Sequence, residues 1–125
     1  MLSSTKRKYM LIIYELSNKG NIVRSIDISK ALSVKKASIS LMLPNLIEEK
    51  LIERADDGSI ILTKTGAVFG GDLYLKYLAL HRFFKEKLAS SDENARHDAI
   101  CCLCSLSDAN ANNMIEYVLS DMRDY

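Results

Sequence analysis

The 125 residues predict a mainly α chain: a winged helix-turn-helix of three helices and a two-stranded wing, followed by a helical domain. Apolar residues recur at helical spacing through most of the sequence. Between the third and fourth helical segments, two short β-branched runs, Leu51-Ile52-Glu53-Arg54 and Ile60-Ile61-Leu62-Thr63, flank a turn-rich loop. A composition that is 48% hydrophobic is enough to close a core in a chain of this length. The commonest use of such a shape is to set one helix in the DNA major groove, so the first expectation is a DNA reader.

Each element has a local reason. Tyr9, Met10, Ile12, Ile13 and Leu16 form a first apolar helix, ended by Asn18-Lys19-Gly20, where glycine can take the left-handed conformation after a helix. Ser25 is the expected cap of a second helix running to Leu32, with Ile26, Ile28 and Leu32 inward and Ser33-Val34 as the turn. In the third helix Ile39, Met42, Leu43, Leu46 and Ile47 fall at i, i+3, i+4, i+7 and i+8, with Pro44 inside the run. The wing loop is Ala55 to Ser59. A long helix from about Lys64 to Leu88 follows, with Phe69, Leu73, Tyr77, Leu80 and Phe84 at helical spacing. Gly70-Gly71 inside it lowers helix stability by about 1 kcal/mol per residue relative to alanine, which points to close packing against a neighbour. Ser90-Ser91-Asp92-Glu93 reads as loop and cap before a fifth helix to about Leu106. Ser107-Asp108 opens a sixth, whose stripe is Met114, Ile115, Val118, Leu119 and Met122.

Charge and chemistry narrow the function. The net charge of +1 hides an asymmetry: residues 1–66 carry eleven Lys or Arg against seven Asp or Glu, and residues 67–125 carry six against nine. A basic front half suits a polyanion. The sequence has no run long enough to span a membrane, so the expected compartment is the cytoplasm. Cys101, Cys102 and Cys104 are too close together to be a disulfide framework and read as reduced thiols. Two histidines, with no Gly-rich phosphate loop and no paired acid-base carboxylates, exclude an enzyme reading.

The chain resembles the DtxR/MntR family of iron- and manganese-dependent repressors across nearly its whole length. The residues that carry the likeness are Tyr9, Ile13-Tyr14-Glu15-Leu16, Asp27 to Val34, Ser38-Ile39-Ser40 with Met42-Leu43, and Leu46 to Ile52. They continue with Leu62-Thr63 and Gly66, His81-Arg82, and Leu106-Ser107-Asp108. The end at residue 125 resembles the short members without an SH3-like third domain. The resemblance implies a DNA-binding domain over residues 1–66 and a dimerisation and metal-binding domain over 67–125. It also implies double-stranded DNA as partner and a homodimer formed through 107–125.

The DNA-contacting residues expected are Lys35, Lys36, Ala37, Ser38, Ser40, Leu41 and Arg54. The lysines suit phosphates, Ala37 a thymine methyl, and the serines phosphate or base edges. Ser40 and Leu41 match the family's groove-facing positions, although Leu41 replaces a residue that is often polar. Pro44 and the acidic wing tip Asp56-Asp57 weaken ordinary groove reading and keep a protein-binding winged helix as the alternative.

The sensor half departs most from the family. Lys8 and Leu11 stand where manganese-type members place acidic ligands, His81 matches a ligand histidine, and Lys85 stands at a position that is often acidic. An ungapped register places Ile100, Leu103 and Cys104 at the fifth-helix ligand positions. A register with one deletion places Cys101, Cys104 and Ser105 there, with His97 at an ancillary position. Spacing alone offers another set: His97, Cys101 and Cys104 at i, i+4 and i+7, with His81 from the long helix. A divalent transition metal, Zn, Fe or Mn, is thus expected in a degenerate site, and sulfur and imidazole donors favour a thiophilic ion such as Zn²⁺. The same cysteines also admit a core role or a thiol-redox sensor without metal.

Overall fold

The protein, here as a computed structural model, is described over residues 3–122. Among these, the elements are α1 (Ser4–Asn18), α2 (Ser25–Leu32), α3 (Lys36–Glu48), β1 (Ile52–Arg54), β2 (Ile60–Leu62), α4 (Lys64–Lys87), α5 (Asp92–Ser105) and α6 (Asp108–Met122). They fall into two units, residues 1–72 and 73–125, with α4 contributing to both. Fold class and element order match the sequence expectation. None of the described helices is long and apolar enough to cross a membrane.

In the first unit, α1 starts where the Ser3 hydroxyl accepts the Lys6 N–H, and it is followed by Gly20 at φ +81°. The consecutive residues Tyr9 to Ile13 are all buried, and burial pushes the Tyr9 phenol above its ordinary pKa. The cap of α2 is Arg24, whose N–H donates to the Asp27 carboxylate at 2.9 Å, and Ser25 is instead the first helical residue. Ile28 is fully buried while Ile26 is 42% exposed. Residues two positions apart on a helix lie about 200° around its axis, so both could not face inward.

Helix α3 buries Ile39, Leu43 and Leu46 and leaves Ile47 at its exposed edge. Pro44 lies on the solvent face without breaking the helix, and the Asn45 side-chain amide donates to the Leu41 carbonyl at 3.3 Å. The end of α3 is a left-handed closure at Lys50 (φ +61°), with the Lys50 N–H donating to Ile47 O and the Leu51 N–H to Leu46 O.

The wing is an antiparallel pair in register Ile52 with Leu62 and Arg54 with Ile60, extended by a bridge from Val23 to Ile60. Ile52 and Ile60 are buried, whereas Glu53 and Ile61 face solvent, the period-two pattern of a half-buried sheet. Two glycines let α4 approach this unit. A Cβ on Gly66 would sit 1.9 Å from the Leu51 carbonyl oxygen, and one on Gly70 would sit 2.8 Å from Tyr14 Cβ on α1. The close packing expected of Gly70 is therefore present, whereas Gly71 has only ordinary contact with the Tyr14 ring at 3.4 Å.

In the second unit, Leu73, Tyr77 and Leu80 of α4, Ala95, Ala99, Leu103 and Cys104 of α5, and Ala111, Ile115 and Val118 of α6 are buried. Helix α4 closes through Ala89 at φ +51°, with the Ser90 N–H on Phe84 O. Ser91 and Ser107 accept the N–H groups of Asn94 and Asn110, as expected of caps. The expected α6 stripe divides: Ile115 and Val118 are buried within the chain, and Leu119 is exposed, as is Tyr117 beside it. Residues 123–125 of the expected dimer segment lie outside the described residues.

Candidate nucleic-acid interface and the donors of α5

The turn between α2 and α3 passes through Ser33 (φ +55°), with the Ser29 hydroxyl donating to Val34 O at 2.7 Å and the Val34 N–H to Ser29 O at 3.3 Å. Lys35, Lys36, Ala37, Ser38, Ser40 and Leu41 are all exposed, and Leu41 is 76% exposed. Lys35 occupies the cap position and makes no side-chain cap hydrogen bond. The first turn therefore shows two lysines to solvent, with the Ser38 N–H closing onto the Lys35 carbonyl at 3.0 Å. Leu41, Pro44 and Ala37 make the same face partly apolar.

Arg54 is exposed on β1, and its guanidinium donates to Ser25 Oγ at 3.1 Å, tying the wing to the start of α2. A second strap escaped the sequence reading: Arg24 donates to the Asp57 backbone carbonyl at 3.0 Å and meets the Asp57 carboxylate at 3.4 Å. Asp57 also accepts the Ser59 N–H at 2.9 Å, and Gly58 takes φ +83°. Its bonds with Ser59, aided by Arg24, hold the Asp57 carboxyl below the usual carboxylate range. One of the two wing-tip acids is thus a turn-forming residue. The signal was the Asp57-x-Ser59 spacing of an Asx turn.

The expected metal donors are dispersed. His97 is exposed and its Nδ1–H donates to Asp98 Oδ1 at 2.9 Å. Cys101 Sγ, half-buried, lies 3.7 Å from His97 Nε2 and 4.0 Å from Nδ1. Cys104 is 1% exposed, and His81 lies against the Tyr77 ring at 5.7 Å between centroids. Among the described residues, no three His, Cys, Asp or Glu side chains are grouped to hold one ion. Leu11 is buried and has no donor atom, and Lys85 pairs with Asp92 at 2.8 Å. Manganese and ferrous iron favour oxygen-rich coordination, and the residues at these positions do not fit them. Burial, with the Asp98 charge, pushes the Cys102 thiol up, which disfavours its thiolate.

Residues 1–59 match the family described as iron dependent repressor, N-terminal DNA binding domain. The chain is similar to the manganese regulator SloR (25% identity, TM-score 0.74, 90% of this chain and 53% of that one). It is similar in fold to IdeR of T. acidophilum (22% identity, TM-score 0.72, 94% of this chain and 55% of that one). A hypothetical protein from Sulfolobus solfataricus shares the fold over 94% of this chain and 89% of its own, at 17% identity and TM-score 0.60. No curated protein matches the sequence. The chain spans about half the length of SloR and of IdeR. Residues 1–59 thus belong to the iron dependent repressor N-terminal DNA binding domain family, and the chain shares the fold of the manganese regulator SloR.

Proposed function

We propose that the chain is a DNA-binding transcription regulator of the repressor class, not an enzyme, and that it acts in the cytoplasm as a homodimer through residues 107–125. The observation that carries this reading is the solvent-facing start of α3, where Lys35, Lys36, Ala37, Ser38, Ser40 and Leu41 are exposed beside a wing strapped by Arg54 and Arg24. Two copies would reach two half-sites of a pseudo-palindrome, and the exposed Tyr117 and Leu119 of α6 supply apolar surface for pairing. The reading includes a response to metal that differs from the manganese or iron type, because the donor set lacks the oxygen ligands those ions take.

The test is binding to random duplex as salt is raised. Each phosphate neutralised contributes about 0.9 to the slope of log affinity against log salt, so K35A/K36A should lower that slope by about 2. Exposed Leu41 and Pro44, with the exposed Asp56, favour a second reading in which the same face docks a protein. That reading predicts no salt-dependent affinity for duplex, and such a result would replace the first.

A further inference from the structure

We propose that α3 reads DNA through thymine methyl groups, so that its half-site is a short run of thymine-bearing base pairs. The inference rests on the DNA-binding reading above and names what that face selects. Ala37, Leu41 and Pro44 fall at i, i+4 and i+7 of α3, which continues unbroken through the proline, and all three are exposed. At about 100° per residue they share an arc of about 60°, opposite the buried Ile39, Leu43 and Leu46. Leu41, 76% exposed, stands at the middle of the stripe. From Ala37 to Pro44 the stripe runs about 10 Å along the helix, the length of about three steps of duplex.

The chemistry of the stripe selects its ligand. Along the major-groove edge every base offers hydrogen-bonding groups, and thymine alone adds an apolar one, its C5 methyl. The side chains of Ala37, Leu41 and Pro44 carry no donor or acceptor, and Pro44 has no backbone N–H either. The amide beside them, Asn45, is turned back onto the Leu41 carbonyl at 3.3 Å. Set against guanine or cytosine, these side chains would strip water from ring, carbonyl or amino groups and give no hydrogen bond in return. Against a thymine methyl they remove only apolar surface from water. Charge fits the same occupant: exposed Lys35 and Lys36 head the stripe, and α3 has no acid before Glu48, so a polyanion can approach along it. The two residues that weaken hydrogen-bonded groove reading, Leu41 and Pro44, are thus the ones that read methyl groups.

The test selects bound sequences from a random duplex pool with the full chain, then remakes the recovered duplexes with deoxyuridine for thymine. That exchange removes the methyl and keeps every hydrogen-bonding group. The expected result is half-sites with two or three adjacent thymine-bearing pairs, and a loss of about fourfold in affinity for each contacted methyl removed, the transfer value of one such group. Leu41→Ala, at an exposed position, should shrink the thymine-to-uracil affinity ratio at least about threefold. K35A/K36A should weaken both duplexes alike and keep the ratio. Recovered sites that bind equally well with deoxyuridine, half-sites built of G·C pairs, or salt-dependent binding with no sequence enriched would each overturn the thymine reading and leave DNA binding standing. A chain with no salt-dependent affinity for any duplex would overturn both, and would assign the same apolar stripe to a protein partner.

Discussion

Substituting Gly66 with alanine should unfold the junction between wing and α4, although alanine is the better helix former. The added Cβ would lie 1.9 Å from the Leu51 carbonyl oxygen and 2.8 Å from its carbon, so backbone must move by about an ångström or more to restore contact distance in a close-packed interior. The Leu51 carbonyl accepts the Thr63 N–H at 3.1 Å, the Thr63 hydroxyl donates to Lys50 O at 2.6 Å, and Thr63 Oγ1 in turn accepts the Gly66 N–H at 3.0 Å. Losing two or three such bonds removes about 1 kcal/mol each, more where a buried group is left unpaired. The helix-propensity gain from glycine to alanine returns up to about 1 kcal/mol. The net expectation is a destabilisation of about 1–2 kcal/mol for the first unit. Urea denaturation followed by circular dichroism reads this as a lower midpoint, with a drop of about 1–2 M at an ordinary m-value. Gly71→Ala is the internal control. Its Cβ would meet only the Tyr14 ring at 3.4 Å, so this substitution should be neutral or stabilising by up to about 1 kcal/mol. If the two variants moved the midpoint alike, or Gly66→Ala raised it, the close approach to Leu51 would be wrong.

Other perturbations test separate parts of the structure. Lys50 and Ala89 hold left-handed backbone at φ +61° and +51°, so Lys50→Gly and Ala89→Gly should each stabilise by about 0.5–1 kcal/mol in the same denaturation assay. Asp57 has its folded pKa depressed by Ser59 and Arg24, so its contribution to stability is present above the unfolded carboxylate range and fades as pH falls through the lower folded value. Accordingly, Asp57→Ala should be less stable than the wild type near neutrality, with the difference shrinking below the ordinary carboxylate pKa; a constant difference across that window would contradict the strap. Leu41→Ala should shift stability by less than about 0.5 kcal/mol because the side chain is 76% exposed, yet weaken ligand binding. Leu43→Ala, two positions on and buried, should cost about 2–5 kcal/mol.

The nature of each element was legible where local chemistry decides. The third-helix period, the Leu62-Thr63 passage into α4, the serine caps of α5 and α6, and the glycine after α1 are all recorded in nearest-neighbour preferences, and the structure follows them. The cap of α2 was misplaced because Ser25 is a good capping residue, but its hydroxyl is taken by Arg54, which lies twenty-nine positions away. The inward placement of both Ile26 and Ile28 failed on helical geometry that the sequence itself contains.

At the candidate site, residue type and spacing sufficed for the exposed lysines and serines of α3, because a core stripe on one face forces its complement outward. They did not show that Asp57 folds back onto Ser59 and Arg24, since an acidic pair in a loop looks alike whether it repels a ligand or builds a turn.

The sequence by itself determined the winged helix-turn-helix, its basic front half and the resemblance of its N-terminal domain to the iron-dependent repressors, because periodicity, turn residues and charge are properties of short segments. Only the tertiary structure decided which of those residues meet. It bound the wing to α2 through Arg24 and Arg54, required glycine at 66 against the Leu51 carbonyl, buried Cys104 and left the His97–Cys101 pair at 3.7 Å. The physical reason is that side-chain distance across a fold depends on packing between segments far apart in the chain, which no local preference records.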